Sequence, residues 1–143
     1  MGWMLRGVDD PTRPFVGRGA ILRELATGAS RWATVGVVVD PAHWNRLHRD
    51  AGLLPPTHES PLPHESLLYD SPHREHQVGY VTSLVYSPVL QRHVGLARVS
   101  PDLASPGTGL HLELAVHHRT ATVRAFTTTL PLFDPPRRTA RHD

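Results

Sequence analysis

The sequence predicts an all-β domain, a small barrel or jelly-roll-like fold with one or two short helices. Several short apolar segments rich in β-branched residues are separated by proline, glycine and other turn signals, which is typical of such folds. Only two short windows show the spacing of an amphipathic helix. The chain has 143 residues, enough for one hydrophobic core but not for two, so we expect a single barrel.

The central prediction is a strand pair in residues 78–99, joined by a turn at residues 86–88. Because both faces of the first strand are largely apolar, we expect a strand that is covered on both sides. The glycines at positions 79 and 95 predict a bulge or a close backbone neighbour. Strict alternation would place Val78, Tyr80, Thr82 and Leu84 on one face and Gly79, Val81, Ser83 and Val85 on the other.

The first helix is predicted over residues 19–27, with Gly28 as its C-terminal stop. A strand follows over residues 32–39, because its run of valines favours an extended backbone. The apolar stripe of the helix consists of Ile21, Leu22 and Leu25.

A second helix begins with Asp40 as N-cap and Pro41 as first residue, and Gly52 ends it. A proline-rich loop at residues 55–64 and a short strand at residues 67–69 follow. The apolar face of the helix consists of Trp44, Leu47 and Ala51.

The last predicted element is a hairpin. Apolar residues alternate cleanly over residues 110–116, residues 117–119 turn the chain without the usual Asn-Gly, and residues 121–125 return it. Glu113 lies on the polar face of the first strand, where a solvated carboxylate is expected. Beyond Pro135 the chain has no apolar run, so residues 135–143 are predicted to be a disordered tail.

Composition excludes several classes of protein. The chain has no lysine and no cysteine, which removes Schiff-base chemistry, a P-loop, disulfides and thiol nucleophiles. The net charge is only +2 and the arginines are scattered, so no nucleic-acid partner is predicted. No segment is long and apolar enough to suggest a membrane span, and a cytoplasmic protein is expected.

The residues that carry chemistry do not form a recognisable catalytic or metal motif. Eleven histidines are present, but none has the spacing of a metal site, so no metal is predicted. Ser83 and Ser87 lie outside any nucleophile elbow. Arg98 and Arg124 end or interrupt apolar strands, where an arginine either clamps a carboxylate or phosphate or remains a solvated charge at the rim.

Several short words, in this order and spacing, resemble the C-terminal barrel domain of the glycine cleavage T-protein (aminomethyltransferase) family. The resemblance covers nearly the whole chain and implies the same barrel fold. The words are FVGR at 15–18 with AIL at 20–22, GYVTS at 79–83, YSPVL at 86–90, VGLARV at 94–99, PGT at 106–108, ATV at 121–123 and LPLFDP at 130–135.

The resemblance implies a division of the chain. Residues 1–14 would be the linker from a missing upstream folate-binding region, and residues 15–134 would be the barrel. The family pattern has only a short turn where residues 40–64 stand, so this segment is interpreted as an insertion. A lipoyl-carrier partner would have to approach a different surface, which argues mildly against an ordinary glycine-cleavage enzyme.

The resemblance also implies tetrahydrofolate as cofactor, held mainly by domains that precede the barrel. The acidic catalytic residue of the family lies upstream and matches no position here, so no catalytic residue is assigned. Trp3 matches the family's tryptophan near the folate cavity, and Arg31 stands where members often have a basic residue. Both are candidate cofactor-binding residues; core packing for Trp3 and a solvated charge for Arg31 are the alternatives.

Three interpretations of function remain open at this stage. In the first, the chain is the barrel of a tetrahydrofolate-dependent aminomethyltransferase or methyltransferase and is not catalytic on its own. In the second, it is an interaction module that completes a separately encoded folate enzyme. In the third, it is a truncated gene product. A docking module should expose an apolar patch, with Trp3 and Trp44 at its edge. The one-carbon donor, whether glycine, dimethylglycine or sarcosine, or an aryl methyl ether, is left open.

Overall fold

The computed structural model describes residues 5–57 and 65–135. Those residues form a closed antiparallel barrel in which the strand order is β1-β4-β3-β2-β5-β6, with two short helices. The predicted fold class is therefore confirmed. The elements are α1 (Arg18–Thr27), β1 (Ala33–Val39), α2 (Pro41–Asp50), β2 (Ser66–Tyr69), β3 (Gln77–Ser87), β4 (Arg92–Val99) and, after a 3₁₀ turn at Pro101–Leu103, β5 (Gly109–Val116) and β6 (Arg119–Thr128).

The hydrophobic core lies inside the barrel. In most strands, every second side chain points into it. On β1 the valines at positions 35, 37 and 39 point inward, as the period of a strand requires. Trp44 of α2 joins the same cluster, so this helix packs against the end of the barrel at which β1 stops. The buried cluster comprises Val35, Val37, Val39, Trp44, Leu68, Val81, Leu84, Ala97, Val99, Leu110, Leu112, Val123 and Ala125.

The alternation predicted for the central strand is wrong beyond Thr82. The register between β3 and β4 shifts between Val81 and Ser83, which is a β-bulge. Leu84 is therefore buried on the side of Val81, although strict alternation assigns them to opposite faces. The strand also runs through the expected turn residues 86–87, and the chain reverses only at residues 88–91.

The glycine prediction for this strand pair is confirmed. A Cβ at Gly95 would lie well inside contact distance of the backbone oxygen of Ser83, and one at Gly79 would collide with that of Arg98. Both atoms belong to the neighbouring strand and have no flexible end to move away. The bulge and the two glycines together allow adjacent strands to approach closely as the barrel closes.

The two helices differ in how they are attached. α1 ends at Gly28 in the left-handed conformation, as predicted, but no residue of α1 is buried. α2 begins as predicted: the Asp40 side chain accepts hydrogen bonds from the backbone N–H of Ala42 (2.9 Å) and of His43 (3.2 Å). Within the described part of the chain, neither helix is long and apolar enough to cross a membrane.

The hairpin between β5 and β6 turns at His117 and His118, which both have positive φ (48° and 60°). This is the geometry of a type I′ turn, which suits the twist of a two-residue hairpin. The prediction of a hairpin without Asn-Gly is confirmed. The predicted tail after Pro135, and the part of the proline-rich loop at residues 58–64, lie outside the described residues.

Candidate functional site

The FVGR word at residues 15–18 has a structural role at the start of α1. Gly17 is the N-cap residue and has φ 90°, a conformation that other residues rarely adopt. The Arg18 guanidinium donates to two backbone carbonyls of the preceding loop, from Nε to Val8 (2.9 Å) and from Nη2 to Asp9 (2.8 Å). Arg18 therefore fastens that loop to α1, and we refer to residues 5–28 as the arm.

An apolar groove lies between the arm and the barrel. It has a volume of about 450 Å³, and the polar side-chain groups among its lining residues are the Glu24 carboxylate, the Ser30 hydroxyl and the Trp32 indole N–H. That volume lies within the range of small-molecule sites, but the groove is open along one side. Its apolar walls come from Leu5, Ile21, Leu25, Trp32, Ala33 and Pro101.

Trp32 forms the aromatic wall at the barrel side of this groove. Its ring meets Tyr80 of β3 edge-on, with centroids 5.6 Å apart. The Arg31 guanidinium lies over the same indole, 5.1 Å from the ring centroid. This places Arg31 beside the groove as an exposed cation in cation–π contact with the indole.

Helix α2 is fastened to β6 by a second polar cluster. Arg124 accepts a hydrogen bond at its carbonyl from the Asp40 N–H (2.9 Å) and donates from Nη2 to the Asp40 carboxylate (2.9 Å). The Arg124 N–H donates to Nδ1 of His43 (3.1 Å). Of the two roles predicted for Arg124, the structure shows a clamp, and the carboxylate it holds belongs to this chain.

The electrostatics of this cluster favour a neutral His43 and an ionised Asp40. Burial opposes ionisation of Asp40, but hydrogen bonds from the His43 N–H, Arg124 and the Ala42 N–H together lower its pKa. Burial, and then the charges of Arg46 and Arg124, lower the pKa of His43. Burial, followed by the charges of His43 and Arg124, also lowers the pKa of His111, whose buried Nδ1 has no hydrogen-bond partner.

An aromatic stack lies at the same end of the barrel as α2. The Trp44 indole packs between His93 (centroids 4.0 Å apart) and His48 (4.6 Å). Trp44 is only 5% exposed, so the expectation that it borders an exposed patch is wrong. The sequence analysis assigned Trp44 to the apolar face of α2, and in the structure that face packs against the barrel core.

The remaining polar candidate is Glu113 on the outer face of β5. Its carboxylate accepts a hydrogen bond from the Tyr69 hydroxyl (3.2 Å) and pairs with Arg74 (3.5 Å). The prediction of a merely solvated carboxylate is therefore wrong. Across residues 5–57 and 65–135, no group of three histidine, aspartate or glutamate side chains is placed to hold a metal ion.

Comparison with known families decides what the barrel is. A family model described as the glycine cleavage T-protein C-terminal barrel domain matches residues 49–134, more than half of the chain. The chain belongs to this family. The resemblance stated from the sequence words is thereby confirmed, and the match begins within the segment predicted to be an insertion.

A solved relative of the T-protein barrel has the same fold. The glycine cleavage system aminomethyltransferase T from Bartonella henselae superposes with a TM-score of 0.56 at 19% sequence identity. The superposition covers 82% of this chain and 26% of the other, so the chain spans about a quarter of that enzyme. No curated protein matches the sequence.

The two candidate cofactor residues of the T-protein barrel have different outcomes. Arg31 lies beside the groove, stacked on Trp32, and no contact tests its proposed role. Trp3 lies outside the described residues, two positions before Leu5, which lines the groove. The groove itself was missed, although the predicted stripe of α1 contains two of its wall residues, Ile21 and Leu25.

Proposed function

We propose that this chain is the C-terminal barrel of a tetrahydrofolate-dependent aminomethyltransferase or methyltransferase, and that it is not catalytic on its own. The family match over residues 49–134 is the observation that carries the proposal. The solved relative bears the name of an aminomethyltransferase, and most of its chain has no counterpart here. A cytoplasmic location is part of the same proposal.

The described residues fit a partial folate site. The groove offers an apolar wall, an aromatic platform and one stacked guanidinium, but it leaves one side open. A ligand that is held in such a place needs walls from elsewhere, because ligand sites in proteins bury most of the ligand surface. We therefore assign the barrel one wall of the cavity and expect the others from a folate-binding region.

In this proposal the barrel acts by position and exclusion of water. When bound, tetrahydrofolate supplies the N5 nitrogen that receives the one-carbon unit. Trp32, in edge contact with Tyr80, lines the groove, and water is excluded where the indole is covered. Arg31 and Trp3 are proposed to face the cofactor, with Arg31 offering a cation to its carboxylates.

The proposal is tested by titrating purified 1–143 with tetrahydrofolate in a calorimeter under anaerobic conditions. The expected result is no saturable binding at micromolar concentration, because one wall does not bury the ligand. Saturable binding in that range would contradict the partial-site proposal. Arg31→Ala is the informative variant in that event, because it removes only the cation that is stacked on Trp32.

A second candidate, an interaction module that completes a separately encoded folate enzyme, is favoured by one observation. The arm exposes three apolar side chains: Val16 is fully exposed, Leu25 is 52% exposed and Phe15 is 46% exposed.

An immunoblot of the native host with antibody against the barrel separates the two candidates. A band near 15.8 kDa indicates a module, and a band two to three times larger indicates a whole transferase.

A further inference from the structure

Another cavity lies at the end of the barrel opposite the groove, where α2 packs against the strands. The groove contains Ala33, where β1 begins, whereas the cavity contains Pro41, which follows the end of β1. Its volume is about 150 Å³, and we call it the α2 cavity. The side chains in its wall that carry rings or polar groups include Trp44, Asn45, Thr57, Tyr86, Arg92 and His93.

Aromatic rings form the buried wall of the α2 cavity. His93 stacks on Trp44 with ring centroids 4.0 Å apart, and Tyr86 meets His93 edge-on at 5.3 Å. Trp44 is 5% exposed and His93 is 7% exposed, so both rings are held by the packing around them. A cavity of about 150 Å³ can hold one benzene-sized group. The α2 cavity therefore suits the flat part of a small molecule.

The Trp44 side chain also carries an unused hydrogen-bond donor. Its Nε1–H is buried and has no acceptor within residues 5–57 and 65–135. An indole nitrogen can only donate, and buried donors in proteins are normally paired. A ligand of the α2 cavity is therefore favoured if it brings an acceptor oxygen to this N–H.

The charged side chains around the α2 cavity are cationic. Arg92 lines the cavity, and Arg49 lines a shallow depression that shares Asn45 and Thr57 with it. Each arginine is restrained by a hydrogen bond from its Nε–H to a backbone carbonyl, Arg92 to Leu90 (3.0 Å) and Arg49 to Asn45 (3.3 Å). Among the described residues, no aspartate or glutamate lines either space. A guanidinium in such a place favours a carboxylate, whose two oxygens match its planar N–H groups.

We infer that the α2 cavity binds a small planar carboxylate. The flat part of the ligand packs against Trp44, Tyr86 and His93, and its carboxylate oxygens accept hydrogen bonds from Arg92 and from the Trp44 Nε1–H. Inorganic phosphate matches the cation but leaves the aromatic wall uncovered. No described residue lines both this cavity and the groove, so the inference does not depend on the proposed function.

Nuclear magnetic resonance of the purified chain tests the inference, because each indole N–H gives a signal of its own. Trp3→Phe and Trp32→Phe assign the spectrum, and the indole signal kept in both variants belongs to Trp44. The probe is benzoate, and benzamide, which has a similar shape without the charge, is its control. The expected result is a saturable shift of the Trp44 signal, with half-saturation at about 1 mM or lower. The Trp32 signal should stay in place, and benzamide should bind about tenfold more weakly or less.

Arginine variants test where the carboxylate lies. Arg92→Gln is expected to weaken benzoate binding by about fivefold or more, because the guanidinium that pairs with the carboxylate is lost. Arg46→Gln is the matched control, since it removes the same charge from an exposed position of α2 that lines neither space. Its effect should stay below about twofold. Arg92→Lys replaces Arg92→Gln if the latter does not fold, because it keeps the charge but loses the planar fork.

Other results would overturn the inference. One is a Trp44 signal that stays in place up to about 20 mM benzoate, which corresponds to no useful affinity. Equal binding of benzamide, or an equal shift of the Trp32 signal, would show that benzoate binds without a specific carboxylate site. Equal weakening by Arg46→Gln and by the Arg92 variant would show a general effect of charge. Inorganic phosphate that binds as tightly as benzoate would show an anion site that makes no use of the aromatic wall.

Discussion

The Nδ1 atom of His43 accepts a hydrogen bond from the backbone N–H of Arg124, 3.1 Å away and 81 residues later in the chain. Strand β1 pairs with β6 only as far as Val39, opposite Ala125. Beyond this pair, the Arg124 N–H of β6 has no carbonyl of β1 as its acceptor. The imidazole of His43 on α2 accepts the hydrogen bond instead. Helix α2 thus completes the hydrogen bonding at the seam where the barrel closes.

His43→Ala is expected to lower the free energy of unfolding by about 1 kcal/mol, because the Arg124 N–H loses its acceptor. Urea unfolding followed by circular dichroism measures the change. His43→Asn keeps an acceptor of similar reach and should recover part of the loss. Equal losses in both variants would show that the hydrogen bond does not contribute and that packing of the ring does.

Stability should fall as the pH decreases from 7.5 to 5. The pKa values of His43 and His111 are lowered from 6.5 in the folded protein, so the unfolded chain binds more protons in this interval. The free energy of unfolding therefore rises with pH, and the contribution of the two histidines is fully present only above about 6.5. Asp40, whose pKa is lowered from 3.8, adds a further loss below about pH 4.

The measurement for this prediction is the thermal midpoint between pH 5 and 7.5 for the parent and for H43Q/H111Q. The double variant is less stable at pH 7.5 but should show a flatter dependence on pH, because two groups with lowered pKa values are gone. His76→Gln is the control, since His76 pairs with Asp70 at an exposed position. An unchanged slope in H43Q/H111Q contradicts the assignment.

The strands were predictable because a period of two and turn residues are local properties of the sequence. The bulge in β3 was not, because Gly95 shows that something approaches closely but does not show that Ser83 is the neighbour. The same limit applies to Glu113, whose partners Tyr69 and Arg74 are 44 and 39 residues away. Contacts between distant segments are set by barrel register.

The candidate site was predictable in its parts and not as a whole. The stripe containing Ile21 and Leu25 follows from helical spacing in the sequence. Whether such a stripe packs on its own domain or stays exposed depends on how the helix sits on the barrel. Trp44 shows the opposite case, since its face of α2 is buried against the core.

Gly95→Ala is expected to destabilise the barrel by about 3 kcal/mol or more, because the new methyl group meets the Ser83 backbone of the adjacent strand. Gly109→Ala is the matched control on β5. Its Cβ would have the Phe126 ring as nearest neighbour at 3.9 Å, an ordinary contact, so the change should stay within about 0.5 kcal/mol. Urea midpoints of both variants check the pair; equal effects would contradict the close approach at Gly95.

In contrast to the substitution of Gly95, a substitution in the β5–β6 turn is expected to stabilise the barrel. His117 and His118 both have positive φ, which costs residues with a Cβ roughly 1 kcal/mol or more each relative to glycine. H117N/H118G supplies the pair that a type I′ turn prefers and should raise the free energy of unfolding by about 1 kcal/mol. H117A/H118A removes the imidazoles but keeps the backbone strain, so it should give no such gain. If the alanine pair stabilises as much as Asn-Gly, the two histidine side chains, and not the turn backbone, are the source of the cost.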